Sequence, residues 1–404
     1  MTIPLDTLKR VRVADVYKAG ALAAKLSREP EGVEFSYVDD YAADDGTPVA
    51  TTLPISDQPI TSPAGAVPAF FAGLLPEGRR LSSLRRAVKT SADDELSLLL
   101  AVGRDTIGDV QVVPQGEQPT PAEPLVSVEK SWSEIRFAEV LQQAGVDRVG
   151  IPGVQEKVSA RMISAPVGQR TGRYLLKISP PEFPFVVENE AFFLDLAHRV
   201  DTPAAEATNV RDADDQAGLL VRRFDRVRIG KEEVHALASE DACQVLGRWP
   251  ADKYNVTSEE VVSALANQCE ARAVAVRDLY RQICFAWLTG NGDVHAKNLS
   301  ILATPRGEWR VSPAYDLPST VPYGDSTLAL PIGGKVEGIS RNRWLAFAQD
   351  VGLREAAAAK VIGGLVHGLG ELESQLSAGS LPFDGKRTHD LISELQHRRR
   401  LIIG

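Results

Sequence analysis

The sequence predicts an α+β fold in which a small N-terminal α+β subdomain precedes a larger unit that begins in strands and ends in helices. Three observations predict this arrangement. Strand-like runs precede helix-like runs before residue 114, a proline-rich segment follows them, and helical periodicity is prominent near the C-terminus. With 404 residues and 44% hydrophobic content, the chain is long enough for two or three packed domains.

The first 113 residues contain both kinds of element. Val33–Val38 and Val49–Leu53 are short apolar runs typical of strands. Val67–Leu75 and Glu95–Val102 have the composition and length of helices. We therefore predict an N-terminal subdomain at residues 1–113.

The segment Pro114–Pro124 marks a domain boundary, because it is proline-rich and uncharged apart from glutamate, as expected for an extended linker. Residues 125–225 are predicted to form a first lobe and residues 226–404 a second, mostly helical lobe. The helical patterns of the second lobe lie at Asn342–Val351, Leu353–Leu369 and His389–Ile402.

The first lobe begins with a glycine-containing loop, Gly150–Lys157, followed by strand-like Val158–Ser164 and Arg173–Ile178. Glycines allow backbone N–H groups to approach phosphate oxygens, and Lys177 can reach the α- and β-phosphates of a nucleotide. A buried lysine needs a partner charge, which Glu190 in the next predicted helix can supply. The alternative is a strand-edge lysine whose ammonium stays in water, and the local sequence leaves both open.

A hinge between the two lobes is predicted where the apolar run Leu219–Val221 passes into Arg222, Arg223 and Phe224. A hinge of this kind contacts adenine mainly through backbone groups. The assignment therefore depends on position and not on side-chain identity.

The most informative stretch is Gly290–Asn298, which follows a buried helix predicted at Val276–Leu288. It contains the acid Asp293 and the amide Asn298. An Asn-Gly-Asp tripeptide alone is more often a turn than a site. Here, however, acid, imidazole, amine and amide side chains are packed into six residues between two regular elements.

A predicted hairpin brings a second acid, Asp316, to this stretch. Leu299–Ala303 and Trp309–Tyr315 are strand-like and flank a turn. If Ala303 faces Trp309, antiparallel pairing returns Asp316 to the start of the hairpin.

Together these side chains predict phosphoryl transfer. Such a site needs one carboxylate near the acceptor hydroxyl, and an amide oxygen with another carboxylate to hold Mg²⁺ against the phosphates. Asp293, Asn298 and Asp316 fit these roles in order. A small-molecule phosphotransferase would use the same residues, and a non-catalytic module could hold ATP without using it, so both alternatives remain open.

Composition excludes several other classes of protein. A net charge of −9 argues against a nucleic acid as the main substrate. The three cysteines lack the spacing of a zinc site or a disulfide framework. No apolar run is long enough to span a bilayer and no signal sequence is evident, so we expect a cytoplasmic protein with no membrane partner.

Several motifs together resemble those of the HipA family, the serine/threonine-kinase toxins of bacterial HipBA toxin–antitoxin modules. The resemblance covers nearly the whole chain and implies a two-lobed, protein-kinase-like fold. The motifs are Gly153–Lys157, Leu176–Lys177, Arg223–Arg226, Asp293–Asn298 and Tyr315–Asp316. Upstream, Phe70–Glu77 and Gly103–Asp109 resemble the small N-terminal subdomain of the family.

The resemblance implies a catalytic base at Asp293 and Mg²⁺ ligands at Asn298 and Asp316. It also implies a set of ATP contacts. These are Pro152, Gly153, Val154, Gln155, Glu156, Lys157, Lys177, Arg222, Arg223, Phe224, His295, Ala296, Lys297, Asn298, Tyr315 and Asp316.

Partners are implied as well. These are a small helix-turn-helix antitoxin resembling HipB and a phosphorylated protein substrate, which in the best-known member is glutamyl-tRNA synthetase. An aminoacyl-tRNA synthetase is therefore one candidate substrate, and growth arrest leading to persistence is the implied outcome. A further alternative is an ATP-binding, non-catalytic partner of a transcriptional repressor.

The chain departs from the family pattern at two places. Gly150 occupies the loop position where well-known members carry an autophosphorylated serine, so self-inactivation at that position is not expected. Trp344–Leu353, which aligns with the family's DNA-contacting region, contains no lysine or arginine. We therefore expect DNA binding through the antitoxin.

Overall fold

The computed structural model describes residues 4–43, 46–63, 65–119, 131–143, 163–169, 172–229 and 233–404. The predicted loop Gly150–Lys157 and residues 120–124 of the predicted linker lie outside these ranges.

The N-terminal subdomain is built on a five-stranded antiparallel sheet with the order β4-β3-β2-β1-β5. Leu26, Phe35, Phe71 and Leu96 lie in the core between the sheet and its helices. The strands are β1 (Val13–Lys18), β2 (Ala21–Glu29), β3 (Gly32–Tyr37), β4 (Ile60–Pro63) and β5 (Val110–Pro114), and the helices are α1 (Asp39–Ala43), α2 (Ala69–Gly73), α3 (Gly78–Val88) and α4 (Glu95–Val102).

Two expectations for this subdomain are wrong. Val49–Leu53 is not a strand but a turn with a single bridge between Ala50 and Leu53. Its apolar side chains fill the core, so burial alone produced the strand-like pattern. Pro114 lies in strand β5, opposite Ala14, and not in a linker. An edge strand tolerates proline because one row of its N–H groups needs no partner strand.

The first lobe is a four-stranded antiparallel sheet with the order β6-β7-β9-β8. Phe137 and Leu176 lie in its core. The strands are β6 (Ile163–Gln169), β7 (Gly172–Ile178), β8 (Ala207–Arg211) and β9 (Ala217–Arg222), and the helices are α5 (Phe137–Gln143) and α6 (Val186–Arg199).

The second lobe is mostly helical, as predicted, and contains two small sheets. The strands are β10 (Arg226–Ile229), β11 (Glu233–Ala236), β12 (Ser239–Asp241), β13 (Ser300–Ala303) and β14 (Trp309–Val311). The helices are α7 (Ala242–Val245), α8 (Ser258–Gln268), α9 (Arg272–Thr289), α10 (Arg341–Asp350), α11 (Glu355–Gly368), α12 (Leu372–Ser377) and α13 (Gly385–Ile403).

Helix α9 and the β13–β14 hairpin position the predicted site. The hairpin pairs Ala303 with Trp309, which confirms the predicted register, although β14 ends earlier than predicted. Helix α9 is buried over most of its length. Arg398 of α13 packs its guanidinium 4.3 Å from the Trp287 ring and donates to the Trp287 carbonyl at 2.9 Å. These contacts hold the C-terminal end of α9 rigidly in place.

In the part of the chain that the structure describes, no helix combines the length and the apolar composition needed to cross a membrane.

Candidate active site

The acidic loop begins where helix α9 ends. Gly290 caps the helix in the left-handed region, with φ of 73°, which favours glycine. The side chain of Asn291 then holds the loop. Its Oδ1 accepts from the backbone N–H of Asp293 at 2.9 Å, and its Nδ2 donates to the backbone O of Asp316 at 3.0 Å. One buried amide therefore ties both acidic residues together.

Asp293 is almost fully buried and has a partner that the sequence did not predict. The Tyr254 hydroxyl donates to Oδ1 of Asp293 at 2.9 Å. Burial, together with the Asp293 carboxylate, raises the pKa of Tyr254, so the phenol stays protonated and acts as a donor. The His295 ring packs edge-on against Tyr254, with the ring centroids 5.1 Å apart. These contacts fix the orientation of the carboxylate.

Asn298 and Asp316 meet at the base of the hairpin. Nδ2 of Asn298 donates to the backbone O of Asp293 at 2.8 Å and to Oδ2 of Asp316 at 3.2 Å. With both amide hydrogens used in this way, Oδ1 of Asn298 is the atom that can bind a cation. Asp316 has φ of 58°, an unusual conformation that aspartate tolerates better than most residues.

Lys177, Glu190 and Asp316 form a buried charged cluster. The Lys177 ammonium lies 2.6 Å and 2.9 Å from the two oxygens of Glu190 and 3.2 Å from Oδ1 of Asp316. Burial opposes the charge on Lys177, but Asp316 and Glu190 outweigh it and raise the lysine pKa. Lys177 is therefore a buried, paired lysine and not a solvated strand-edge residue.

The residues present fit a nucleotide with Mg²⁺. Oxygen donors from one amide and one carboxylate, Asn298 and Asp316, are the ligand type that Mg²⁺ prefers. Lys177 lies beside them and provides a cation for phosphate oxygens.

The Lys297 side chain faces a different part of the protein. Its ammonium donates to Oδ2 of Asp241 at 2.7 Å and to the carbonyl of Gly73, in helix α2 of the N-terminal subdomain, at 2.9 Å. The Tyr315 hydroxyl donates to the backbone O of Lys297 at 2.7 Å. The side chain of Lys297 therefore connects the acidic loop to the N-terminal subdomain, and an ATP contact by Lys297 stays a prediction.

Two backbone N–H groups of the predicted hinge already form hydrogen bonds within the protein. The backbone N–H groups of Arg222 and Arg223 donate to carbonyls of Glu206 at 2.8 Å and Arg173 at 3.0 Å. The Phe224 ring lies 5.6 Å from the Tyr315 ring. Adenine binding here would therefore use carbonyl groups or the Phe224 backbone, and these contacts remain predictions.

The Arg223 side chain takes part in a buried network with the N-terminal subdomain. Its guanidinium lies 2.7 Å from Asp105 and 2.8 Å from Asp225. Arg226 lies 3.0 Å from the same Asp105 oxygen, and Gly108 N donates to Asp225 at 2.9 Å. The network joins the loop before β5 to the hinge.

The structure brings Lys177, Glu190, Asp293, Asn298 and Asp316 together. His295 and Ala296 are buried within the same loop, where their N–H groups donate to the backbone O of Asp293 and Lys253. The predicted contacts Pro152, Gly153, Val154, Gln155, Glu156 and Lys157 lie outside the described residues.

Sequence reasoning missed three contacts: Tyr254 with Asp293, Asn189 with the backbone of Ser319, and Asp105 with Arg223. Each lies far along the chain from the residue it contacts. No motif or spacing in the sequence marks Tyr254 or Asn189. The motif Gly103–Asp109 contains Asp105 but does not indicate that Asp105 contacts Arg223.

Comparison with known proteins identifies the family. Residues 14–113 match the HipA N-terminal domain and residues 149–371 match the HipA-like C-terminal domain. The chain belongs to the HipA family, as the resemblance implied.

Individual relatives agree with this assignment. The protein of Sinorhizobium fredii named "Putative kinase Y4mE" is 28% identical over 97% of this chain and 99% of its own length. The serine/threonine-protein kinase toxin HipA of Shewanella oneidensis is 27% identical over 76% of each chain.

A solved structure shows the same fold. A chain in the complex of Shewanella oneidensis HipA, HipB and operator DNA superposes with a TM-score of 0.76, at 23% identity and over 97% of each chain. The predicted HipA-like α+β fold is therefore confirmed.

Proposed function

We propose that this chain is a protein serine/threonine kinase that uses ATP and Mg²⁺. The observation that carries the proposal is the convergence of Asp293, Asn298, Asp316 and the Lys177–Glu190 pair at one place. Kinases use a catalytic aspartate, an asparagine and a second aspartate for metal, and a strand lysine paired with a helix glutamate. The names of the relatives support the same activity.

Each side chain has a distinct role in the proposed reaction. Asp293 accepts the hydrogen bond of the acceptor hydroxyl, orients it and takes its proton. The hydroxyl oxygen then bonds to the γ-phosphorus of ATP as the bond from that phosphorus to the bridging oxygen breaks and ADP leaves. Lys177 binds phosphate oxygens while Glu190 holds the lysine in place. Asn298 and Asp316 would hold Mg²⁺, which would supply positive charge to neutralise the phosphate oxygens.

The partner and the substrate are part of the proposal. The solved relative was crystallised with HipB and operator DNA, which supports a HipB-like antitoxin for this chain. Helix α10 buries Trp344 and Phe347 in the core, which supports DNA binding through the antitoxin and not through this region. A cytosolic protein such as an aminoacyl-tRNA synthetase is the proposed substrate, and growth arrest is the proposed consequence.

The test is transfer of labelled phosphate from ATP to proteins of a cell lysate, followed by mass spectrometry of the labelled product. The Asp293→Asn variant should bind ATP normally but transfer no phosphate, because the carboxylate contacts the acceptor and does little for the nucleotide. Variant activity within about tenfold of the parent would contradict the role of Asp293. Label on a small molecule and not on a protein would favour a small-molecule phosphotransferase.

A further inference from the structure

Helix α6 carries two adjacent buried residues that contact different parts of the site. Glu190 pairs with Lys177, whereas the amide of Asn189 forms two hydrogen bonds with the backbone of Ser319. Its Nδ2 donates to the Ser319 carbonyl at 2.8 Å and its Oδ1 accepts from the Ser319 N–H at 3.0 Å. Both residues are fully buried. The amide therefore fastens the helix to the segment that follows Asp316.

The same segment is fastened to the acidic loop. The Gly290 carbonyl accepts from the N–H of Thr320 at 2.8 Å and from the hydroxyl of Ser319 at 3.2 Å. The N–H of Gly292 donates to Oγ1 of Thr320 at 2.8 Å. A Cβ at Gly292 would lie 2.4 Å from the Thr327 carbonyl, so this close approach requires glycine.

A second contact holds the segment near the start of helix α6. The Tyr323 hydroxyl donates to the Pro184 carbonyl at 3.1 Å, and the rings of Tyr323 and Phe183 pack edge to face. In many kinases the position of the equivalent helix depends on phosphorylation of the segment after the metal-binding aspartate. Here the hydroxyls of Ser319 and Thr320 are buried and donate hydrogen bonds to the carbonyls of Gly290 and Asp325.

We propose that Asn189 is a positioning residue for phosphoryl transfer, an inference that rests on the proposed kinase function. Its amide holds helix α6 so that Glu190 stays on Lys177. The cluster of Lys177, Glu190 and Asp316 then assembles without phosphorylation of the segment between Asp316 and Tyr323.

The test uses the isosteric Asn189→Asp variant of the full chain. The new carboxylate still accepts from the Ser319 N–H, but it presents an oxygen to the Ser319 carbonyl where a donor is needed. We expect kcat to fall about tenfold to hundredfold, while the Kd of Mg-ATP changes less than about threefold. Asp195→Asn, on the exposed side of the same helix, is the matched control and should keep parental activity.

Two further measurements separate positioning from a general structural role. Because Asn189 acts through Glu190, adding Asn189→Asp to Glu190→Gln should lower kcat no further, and full additivity would overturn the inference. The parent protein should also keep its kcat after phosphatase treatment. Loss of activity on that treatment would show that a phosphorylated segment is required.

Hydrogen–deuterium exchange gives a readout that does not depend on transfer. Amides of Val186–Arg199 should exchange faster in Asn189→Asp than in the parent or in Asp195→Asn. Unchanged exchange rates would show that the hydrogen bonds between Asn189 and Ser319 do not hold helix α6 in place. If the parent transfers no phosphate to any acceptor, the proposed function fails and the positioning role fails with it. Exchange rates would then still decide whether Asn189 fastens the helix.

Discussion

The hydroxyl of Tyr254 donates a hydrogen bond of 2.9 Å to Oδ1 of Asp293. Tyr254 lies just before helix α8, so a residue distant in sequence from the acidic loop orients the carboxylate of the proposed catalytic base. The ammonium of the preceding residue, Lys253, pairs with Glu77 of the N-terminal subdomain at 2.5 Å. The subdomain therefore contacts residues next to the proposed catalytic base as well as the hinge.

Tyr254→Phe should lower kcat for transfer about tenfold while leaving the Kd of Mg-ATP unchanged, because it removes one hydrogen bond to Asp293 and no contact to the nucleotide. Steady-state kinetics with calorimetric binding checks this. Tyr17→Phe is the matched control, since the Tyr17 hydroxyl donates to the backbone carbonyl of Glu117, just after strand β5 and away from the site. A tenfold weaker Kd for Mg-ATP in Tyr254→Phe would contradict the assignment.

Asp316→Asn should weaken Mg-ATP binding about tenfold or more, because it removes a charged ligand of the metal while keeping a residue that tolerates positive φ. With the metal removed by a chelator, the parent should no longer bind ATP more tightly than the variant. ATP alone should bind the variant at least as well as the parent, because a carboxylate that repels phosphate is gone. Equal calorimetric affinities in excess Mg²⁺ would rule out the metal role.

Lys177→Ala and Glu190→Ala should each lower transfer, and the double variant should lose less than the sum of the two effects. The two side chains are in contact, so a coupling free energy of about 1 kcal/mol or more is expected. Lys177→Ala should be the more damaging change, because Asp316 still pairs with Lys177 when Glu190 is removed. Strict additivity in the rates would show that the pair does not act as a unit.

Asp105→Asn should destabilise the protein by about 1–3 kcal/mol, because Arg223 and Arg226 then share one remaining carboxylate, Asp225. Urea unfolding measures the loss. The control is Asp214→Asn, which removes an exposed pair with Arg136 and should cost less than about 0.5 kcal/mol. Equal unfolding midpoints for the two variants would mean that the buried network adds no stability.

The sequence by itself determined the local parts of this protein. The predicted and observed bounds of helix α4 agree, and the pairing of Ala303 with Trp309, on which the predicted hairpin register was conditional, is observed. That register placed Asp316 within about two residues of Ala296, and Asp316 accepts a hydrogen bond from Asn298 at 3.2 Å. Periodicity and turn chemistry act over a few residues, so they are visible in the sequence. Val49–Leu53 shows the limit of prediction from local patterns, because a buried turn and a strand can have the same apolar composition.

Only the tertiary structure decided which distant residues serve the site. Tyr254 is 39 residues from Asp293, Arg223 is 118 from Asp105, and Asn189 is 130 from Ser319. Likewise, the sequence placed Lys297 in the acidic loop, but packing directed its ammonium to Asp241 and Gly73. Such contacts depend on how whole elements pack and on the need to pair every buried polar group, which no local pattern specifies.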